Sequence, residues 1–249
     1  VTVLAVETAT SMVGVALVAP DGRRAERCHF EGRLHAELLA PAIAEVCDEL
    51  DVPLSDIDLV VADCGPGLFT GLRVGVATAK AMAQALGVPT LGVSSLDVLA
   101  AAAFPHRDGR CVVSVVDARR GEVFAAAYGP GPEEDPAANR QEWATPVTPE
   151  QLESWLDGLI GHFGPLMVVG DGAVRYADRL AGNPGLDLTQ APSLAAPPPG
   201  IMADLARLRR DAGVPLVAAG DLMPDYRRPA DAQINWEQRR PPVVPGPAA

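Results

Sequence analysis

The chain has 249 residues, 48% of them hydrophobic, and a net charge of −12, which suits one large domain or two of modest size and argues against disorder. Residues 201–249 hold seven arginines against six carboxylates, leaving −13 on the preceding 200 residues. Such a body repels nucleic acid, and eleven aromatics give no evident base-stacking platform, so any RNA is expected to be held mainly by a partner.

No run of about 18 apolar residues is available to span a bilayer, and the opening Val1–Glu7 lacks the layout of a signal peptide. A cytosolic protein without membrane partners is therefore expected. Cys28, Cys47, Cys64 and Cys111 include no Cys-x-x-Cys pair, so they read as reduced, mostly buried thiols with neither a zinc site nor a disulfide framework.

In chain order, a short apolar strand over Val3–Val6 is followed by the turn Glu7-Thr8-Ala9-Thr10-Ser11 and a second strand over Val13–Val18, a hairpin with an acid at its bend. A third strand over Arg24–Phe30 is predicted next, then a helix over His35–Leu50 kinked at Pro41 and a strand over Leu59–Asp63. The glycine-rich turn Cys64-Gly65-Pro66-Gly67-Leu68-Phe69-Thr70-Gly71-Leu72-Arg73-Val74-Gly75 then enters a helix over Gly71–Leu86, and a short helix starts at Leu96. On that longer helix, residues four apart share a face, so Gly71, Gly75, Ala79 and Ala83 make a stripe nearly free of side chains, with Ala77, Ala81 and Ala85 beside it. Two glycines inside a helix call for compensation by a closely packed backbone, either the chain's own sheet or a partner's helix. The glycine spacing fits neither the dinucleotide fingerprint nor a P-loop, because Thr70 stands at the sixth position and Gly71-Leu72-Arg73 replaces Gly-Lys-Ser/Thr.

The same grammar returns about 110 residues later. Val113–Val116, the turn Asp117-Ala118-Arg119-Arg120-Gly121 and Val123–Tyr128 form a second hairpin in which Asp117 takes the place of Glu7. A surface loop over Gly129–Asn139, a helix over Pro149–Leu156, a strand over Leu166–Val169 and a helix over Val174–Leu180 complete this half. A stiff linker over Ala191–Gly200 and a final helix over Met202–Arg210 follow. The pattern divides the chain into residues 1–105, residues 106–228 and a proline-rich tail over 229–249 expected to be disordered at its end.

A duplicated, hairpin-led half with an acid at each first turn resembles the actin, Hsp70 and sugar-kinase superfamily, an α/β fold of two mixed β-sheet subdomains covered by helices. Within it the chain resembles the TsaB (YeaZ) family. The resemblance rests on Val6-Glu7-Thr8-Ala9-Thr10, the glycine-rich turn quoted above, Gly92-Val93-Ser94-Ser95-Leu96, Val116-Asp117-Ala118-Arg119-Arg120 and Pro224-Asp225-Tyr226-Arg227-Arg228-Pro229, in the family's order. It implies a non-catalytic subunit for placing a threonylcarbamoyl group on the adenosine beside the tRNA anticodon. Its partners would be a TsaD-like catalytic subunit and a TsaE-like ATPase, with homodimers when the partner is absent. The implied partner interface is His35, Leu39, Gly67, Phe69, Gly71, Arg73, Gly75 and Ala79. Any nucleotide contact, vestigial or made only in the complex, would fall on Glu7, Thr8, Thr10, Ser11, Asp117, Gly170, Asp171 and Gly172; no cofactor or metal of its own and no catalytic residue are implied. The chain departs from the family at Glu7, where Asp is usual, at Ala36, where Ser is usual, and after Tyr226, where a leucine is missing.

Two rival readings use the same residues. A small-molecule kinase would bind phosphate through Glu7, Thr8, Thr10 and Ser11, with Asp117 and Gly170-Asp171-Gly172 on the nucleotide's far side. A peptidase of the kind once called glycoproteases would need Cys64, or Ser94-Ser95, to be activated, yet no Gly-x-Ser-x-Gly elbow and no evident base are present. His29, His35, His106 and His162 are scattered and give no metal-binding pair.

Overall fold

Apolar runs buried on both faces set the architecture of each half. The computed structural model describes residues 1–30, 34–130, 135–142 and 145–227; the expected tail over 229–249 and Arg228 lie outside the described residues. In the first half, β1 (Val3–Glu7), β2 (Val13–Val18), β3 (Arg24–His29), β4 (Leu59–Asp63) and β5 (Thr90–Val93) form one sheet in the order β3-β2-β1-β4-β5. The hairpins β1–β2 and β2–β3 are antiparallel, whereas β4 runs parallel to β1 and β5. The second half repeats this order with β6 (Cys111–Arg119), β7 (Glu122–Tyr128), β8 (Arg140–Glu142), β9 (Leu166–Val169) and β10 (Leu186–Asp187) arranged as β10-β9-β6-β7-β8. Two mixed sheets of identical strand order make a duplicated fold, the architecture that the resemblance to the actin, Hsp70 and sugar-kinase superfamily implies.

The helices are α1 (His35–Leu50), α2 (Phe69–Leu86), α3 (Ser95–Ala103), α4 (Pro149–Phe163), α5 (Asp171–Arg175), α6 (Ala177–Leu180) and α7 (Pro199–Asp211). Successive strand residues face opposite sides. Leu4, Val6, Val60 and Ala62 therefore meet Leu39, Ile43 and Val46 of α1 and Val76, Ala79 and Ala83 of α2 on the outer face. Val3, Ala5, Leu59 and Val61 meet Met202, Ala203, Leu205 and Ala206 of α7 on the inner face. In the second sheet, Cys111, Val113 and Val115 pack outward against Leu152, Leu156 and Leu159 of α4. Val112 and Val116 pack inward against Leu96, Leu99, Ala100 and Ala103 of α3.

The inner layer is thus exchanged between halves: α3, from the first half of the sequence, covers the second sheet, while α7, from the second half, covers the first. The two helices touch each other. Each sheet has helices on both faces, as a mostly buried sheet requires.

Several elements differ from the sequence expectation. The strands β5, β8 and β10 were not predicted, and they have only four, three and two residues. The helix expected to end at Leu156 continues to Phe163, launched by a capping box between Thr148 and Gln151. The helix expected over Val174–Leu180 is two short helices parted at Tyr176. Residues 131–134 of the expected loop lie outside the described residues, but Pro136–Asn139 form a 3-10 turn capped by Asp135.

Candidate functional site

At the first hairpin, the candidate nucleotide loop and the candidate interface stripe prove to be two sides of one buried junction. β1 delivers Glu7 at its end, and the following residues Thr8 and Thr10 are buried as well. Thr8 Oγ1 donates to the Gly71 carbonyl at 2.8 Å, and the Leu68 N–H donates to the Ala9 carbonyl at 2.6 Å. A Cβ on Gly67 would collide with the Ala9 carbonyl oxygen, one on Gly71 with the Thr8 carbonyl oxygen, and one on Gly75 with Thr8 Oγ1. His35 Nε2 lies 2.9 Å from the Thr10 carbonyl oxygen, so the start of α1 is tied to the same turn. Thr10 N–H and Oγ1 both donate to Glu7 Oε1 at 3.1 Å. Ser11 is only partly buried at the margin.

This arrangement corrects the reading of Gly71, Gly75 and Ala79 as a docking surface. All three are buried; the missing side chains of Gly71 and Gly75 make room for Thr8, and Ala79 packs in the core of the first sheet of the same chain. Leu39 is likewise a core residue, 2% exposed. Of the eight interface candidates, Arg73 is exposed and Gly67 and Phe69 are partly so. Phe69 stacks on Tyr226 with ring centroids 4.9 Å apart, and the Arg73 guanidinium sits 3.9 Å over the Phe69 ring and donates from Nε to Tyr226 Oη at 3.2 Å.

The second-half acid does not match Glu7. Glu7 shares the inward parity of Val3 and Ala5, whereas Asp117 shares the outward parity of Val113 and Val115, next to a bulge between Asp117 and Arg119. Asp117 is 3% exposed and is clamped by Arg119 Nη1 and Arg175 Nη1, each at 2.9 Å, and by the Arg119 N–H at 2.9 Å. Arg119 and Arg120 hold left-handed backbone conformations, with φ of 62° and 55°, which non-glycine residues rarely adopt.

The Asp117 N–H in turn donates to Asp171 Oδ1 at 2.8 Å. Burial, with a smaller push from the Asp117 charge, raises the Asp171 carboxyl to about 6. Gly170 and Gly172 are glycines because a side chain at either would strike Val115 of β6, and Gly170 also has a φ of 104°. The second set of nucleotide candidates is therefore brought together, but as a packed corner neutralised by two guanidiniums. Among the described residues, no group of three or more His, Cys, Asp or Glu side chains is placed to hold a metal ion.

Sequence reasoning missed a buried ion network between the lobes. Asp97 on α3 accepts from Arg209 Nη2 on α7 at 2.7 Å, from Arg140 Nη1 on β8 at 2.8 Å and from Tyr128 Oη on β7 at 3.0 Å. Arg209 also binds Asp135 through two bonds of 2.8 Å. Arg209 is thus 8% exposed and committed to the fold.

The network borders a groove of about 420 Å³ at the ends of β4 and β5, lined also by Cys64, Ser94 and Met223. Burial, followed by the charges of Asp63 and Asp225, pushes the Cys64 thiol up to about 12, the opposite of activation. Ser95 Oγ donates to Asp63 at 2.7 Å, and Ser94 Oγ is buried without a hydrogen-bond partner among the described residues. Cys47, Cys64 and Cys111 are buried, as expected of most of the thiols, while Cys28 is exposed.

Comparison with known proteins places this geometry. A family model described as TsaD, tRNA N6-adenosine threonylcarbamoyltransferase, matches residues 30–141. The tRNA threonylcarbamoyladenosine biosynthesis protein TsaB of Bacillus subtilis is 30% identical over 241 residues, covering 94% of this chain and 97% of that protein. An uncharacterised Mycobacterium leprae protein is 43% identical over 133 residues; the match takes in 52% of this chain and only 36% of that relative's length. A solved structure from Pseudomonas aeruginosa, described as an uncharacterised protein with similarity to peptidase YeaZ, superposes with a TM-score of 0.75 at 29% identity, covering 91% of this chain and 99% of that one.

Proposed function

This chain belongs to the TsaB family, and from that premise we propose that it serves tRNA threonylcarbamoyladenosine biosynthesis as a non-catalytic subunit that supports a TsaD-related catalytic partner. One observation carries the non-catalytic part of the reading: the residues a phosphoryl or acyl transferase would use are engaged inside the fold. Thr8 and Thr10 bond Gly71 and Glu7, Asp117 is held by Arg119 and Arg175, and Cys64 is a buried neutral thiol. The kinase and peptidase readings both need one of these groups to be open.

The docking face is expected on the outer side of α1 and α2, on the side of α2 away from the buried stripe. Ala36, Ala40 and Ala44 on α1 and Ala77, Ala81 and Ala85 on α2 are exposed, each set spaced four apart on helices that pack side by side. Small side chains let a partner helix approach closely. Phe69, Arg73 and Tyr226 at the start of α2 add an aromatic and arginine cluster, the residue types that dominate interface energies. The same face is available for self-association when the partner is absent. A TsaE-type ATPase is expected to act with the pair, and the acidic body leaves tRNA mainly to the partner.

The test is reconstitution of tRNA threonylcarbamoylation with the TsaD-related and TsaE-type proteins of the same source, with and without this chain. The reading requires modification to depend on the chain, and the chain alone to hydrolyse no ATP above buffer. Modification that proceeds equally well without it, or hydrolysis by the chain alone that disappears in Asp117→Ala, contradicts it.

A further inference from the structure

The buried end of β1 holds a second acid. β1 and β4 are parallel neighbours in register, Val6 opposite Ala62, so Glu7 and Asp63 are the next pair along. Glu7 has the inward parity of Val3 and Ala5, and Asp63 that of Leu59 and Val61, so both carboxyls point to the inner face. Both residues are 0% exposed. One oxygen of each is saturated: Glu7 Oε1 accepts from the Thr10 N–H and hydroxyl, and Asp63 Oδ1 accepts from the Gly65 N–H and the Ser95 hydroxyl, each at 2.7 Å. The other two, Glu7 Oε2 and Asp63 Oδ2, are buried, and no donor among the described residues reaches either. As neighbours on paired strands with the same inward parity, the two carboxyl groups lie side by side. Two ionised carboxylates cannot share such a place, but one proton between them satisfies both orphan oxygens.

We propose that Glu7 and Asp63 hold one proton between Glu7 Oε2 and Asp63 Oδ2 at neutral pH, and that this proton is a switch joining the first hairpin turn to α3. Glu7 is the donor. Burial, then the Asp63 charge, raises the Glu7 carboxyl well above the usual range; burial raises Asp63 as well, with the Glu7 hydrogen bond opposing that rise.

The surroundings favour a proton. From β3, Cys28 and Glu26 lie on this inner side, with Glu26 against Gly200 at the start of α7. From α3, the Asp97 charge bears on Asp63, and from α1, His35 is tied to the Thr10 carbonyl. Of these groups only His35 can carry a positive charge. On one side the pair fixes Thr10 and hence the turn on which Gly71 and Gly75 of α2 rest; on the other it fixes Ser95, the first residue of α3, which packs on the second sheet. Loss of the proton sets two adjacent buried carboxylates against each other and releases both anchors.

The sign of the pH effect follows. A carboxyl whose folded value is raised binds its proton more tightly in the folded chain, so stability falls as pH rises from the unfolded value toward the folded one. The inference does not depend on the proposed function.

The test is carboxyl titration of the full chain carrying ¹³C-labelled Glu and Asp, with thermal unfolding over about pH 5 to about pH 8.5, in wild type and Glu7→Gln; one proton corresponds to a slope of about tenfold in the folding constant per pH unit. Wild type is expected to show a neutral Glu7 carboxyl at pH 7 and a midpoint that falls with rising pH. Glu7→Gln is expected to lose that signal and flatten the slope. Should Glu7→Gln not fold, the wild-type titration alone decides. Two ionised carboxylates at pH 7, an equal slope in Glu7→Gln, or a carboxyl signal at pH 7 that moves on adding Mg²⁺ each overturns the proposal.

Discussion

Gly71 and Gly75 have no side chain because Thr8 occupies the space. Gly71→Ala pushes a methyl into the Thr8 carbonyl, a backbone atom that cannot swing aside, and is expected to cost roughly 1–3 kcal/mol in urea unfolding. A variant as stable as wild type would return the stripe to the surface. Asp97→Ala strips Arg209 and Arg140 of their shared buried carboxylate and is expected to cost about 3–5 kcal/mol by the same measurement. Asp171, raised to about 6, follows the sign worked out for Glu7: stability contributed by its neutral form is lost as pH rises from the ordinary value of 3.8 through about 6. Asp171→Asn should flatten thermal unfolding across that window, and an unchanged profile contradicts the assignment. The glycine spacing was legible in the sequence as a demand for close backbone approach. Which backbone was not, since Thr8 and Gly71 are 63 residues apart and only the folded sheet joins them.

At the scale of elements, continuous apolar runs bounded by turns located β1, β2, β4, β6, β7 and β9, and the helical period located the long helices. The strands β5, β8 and β10 show no such run, and they are held by neighbours rather than by their own sequence. The equivalence drawn between Glu7 and Asp117 failed for a related reason. A one-residue change of register reverses every facing, and the bulge at Asp117 leaves no mark in composition. The exposed alanine rows of α1 and α2 carry the element-scale prediction. Ala81→Arg replaces an exposed residue, so the free chain is expected to stay within about 0.5 kcal/mol of wild type. Chemical unfolding checks this, and a larger loss would mean that Ala81 is packed within the chain.

In the whole molecule, the exchange of α3 and α7 makes the two halves interdependent. Each sheet takes its inner cover from the other half of the sequence, and the Asp97–Arg209 pair crosses between the two inner helices. Separate pieces spanning residues 1–105 and 106–228 are therefore expected to expose one sheet face each and to fold only when mixed, as seen by circular dichroism; two independently folded pieces would contradict this. The repeated hairpins announced the duplication, but the exchange was hidden because α3 and α7 are each amphipathic toward any apolar sheet. The charge of −12 was fully legible, and it is the ground on which the proposed function gives RNA mainly to the partner.

The most direct measurement is sedimentation of the TsaD-related protein of the same source with wild type, Ala81→Arg and Gly71→Ala. The account predicts a heterodimer with wild type and none with Ala81→Arg, which stays folded, while Gly71→Ala loses stability before it loses pairing. A heterodimer that tolerates Ala81→Arg but is abolished by Gly71→Ala in a chain of undiminished stability would contradict it and put the glycine stripe at the interface.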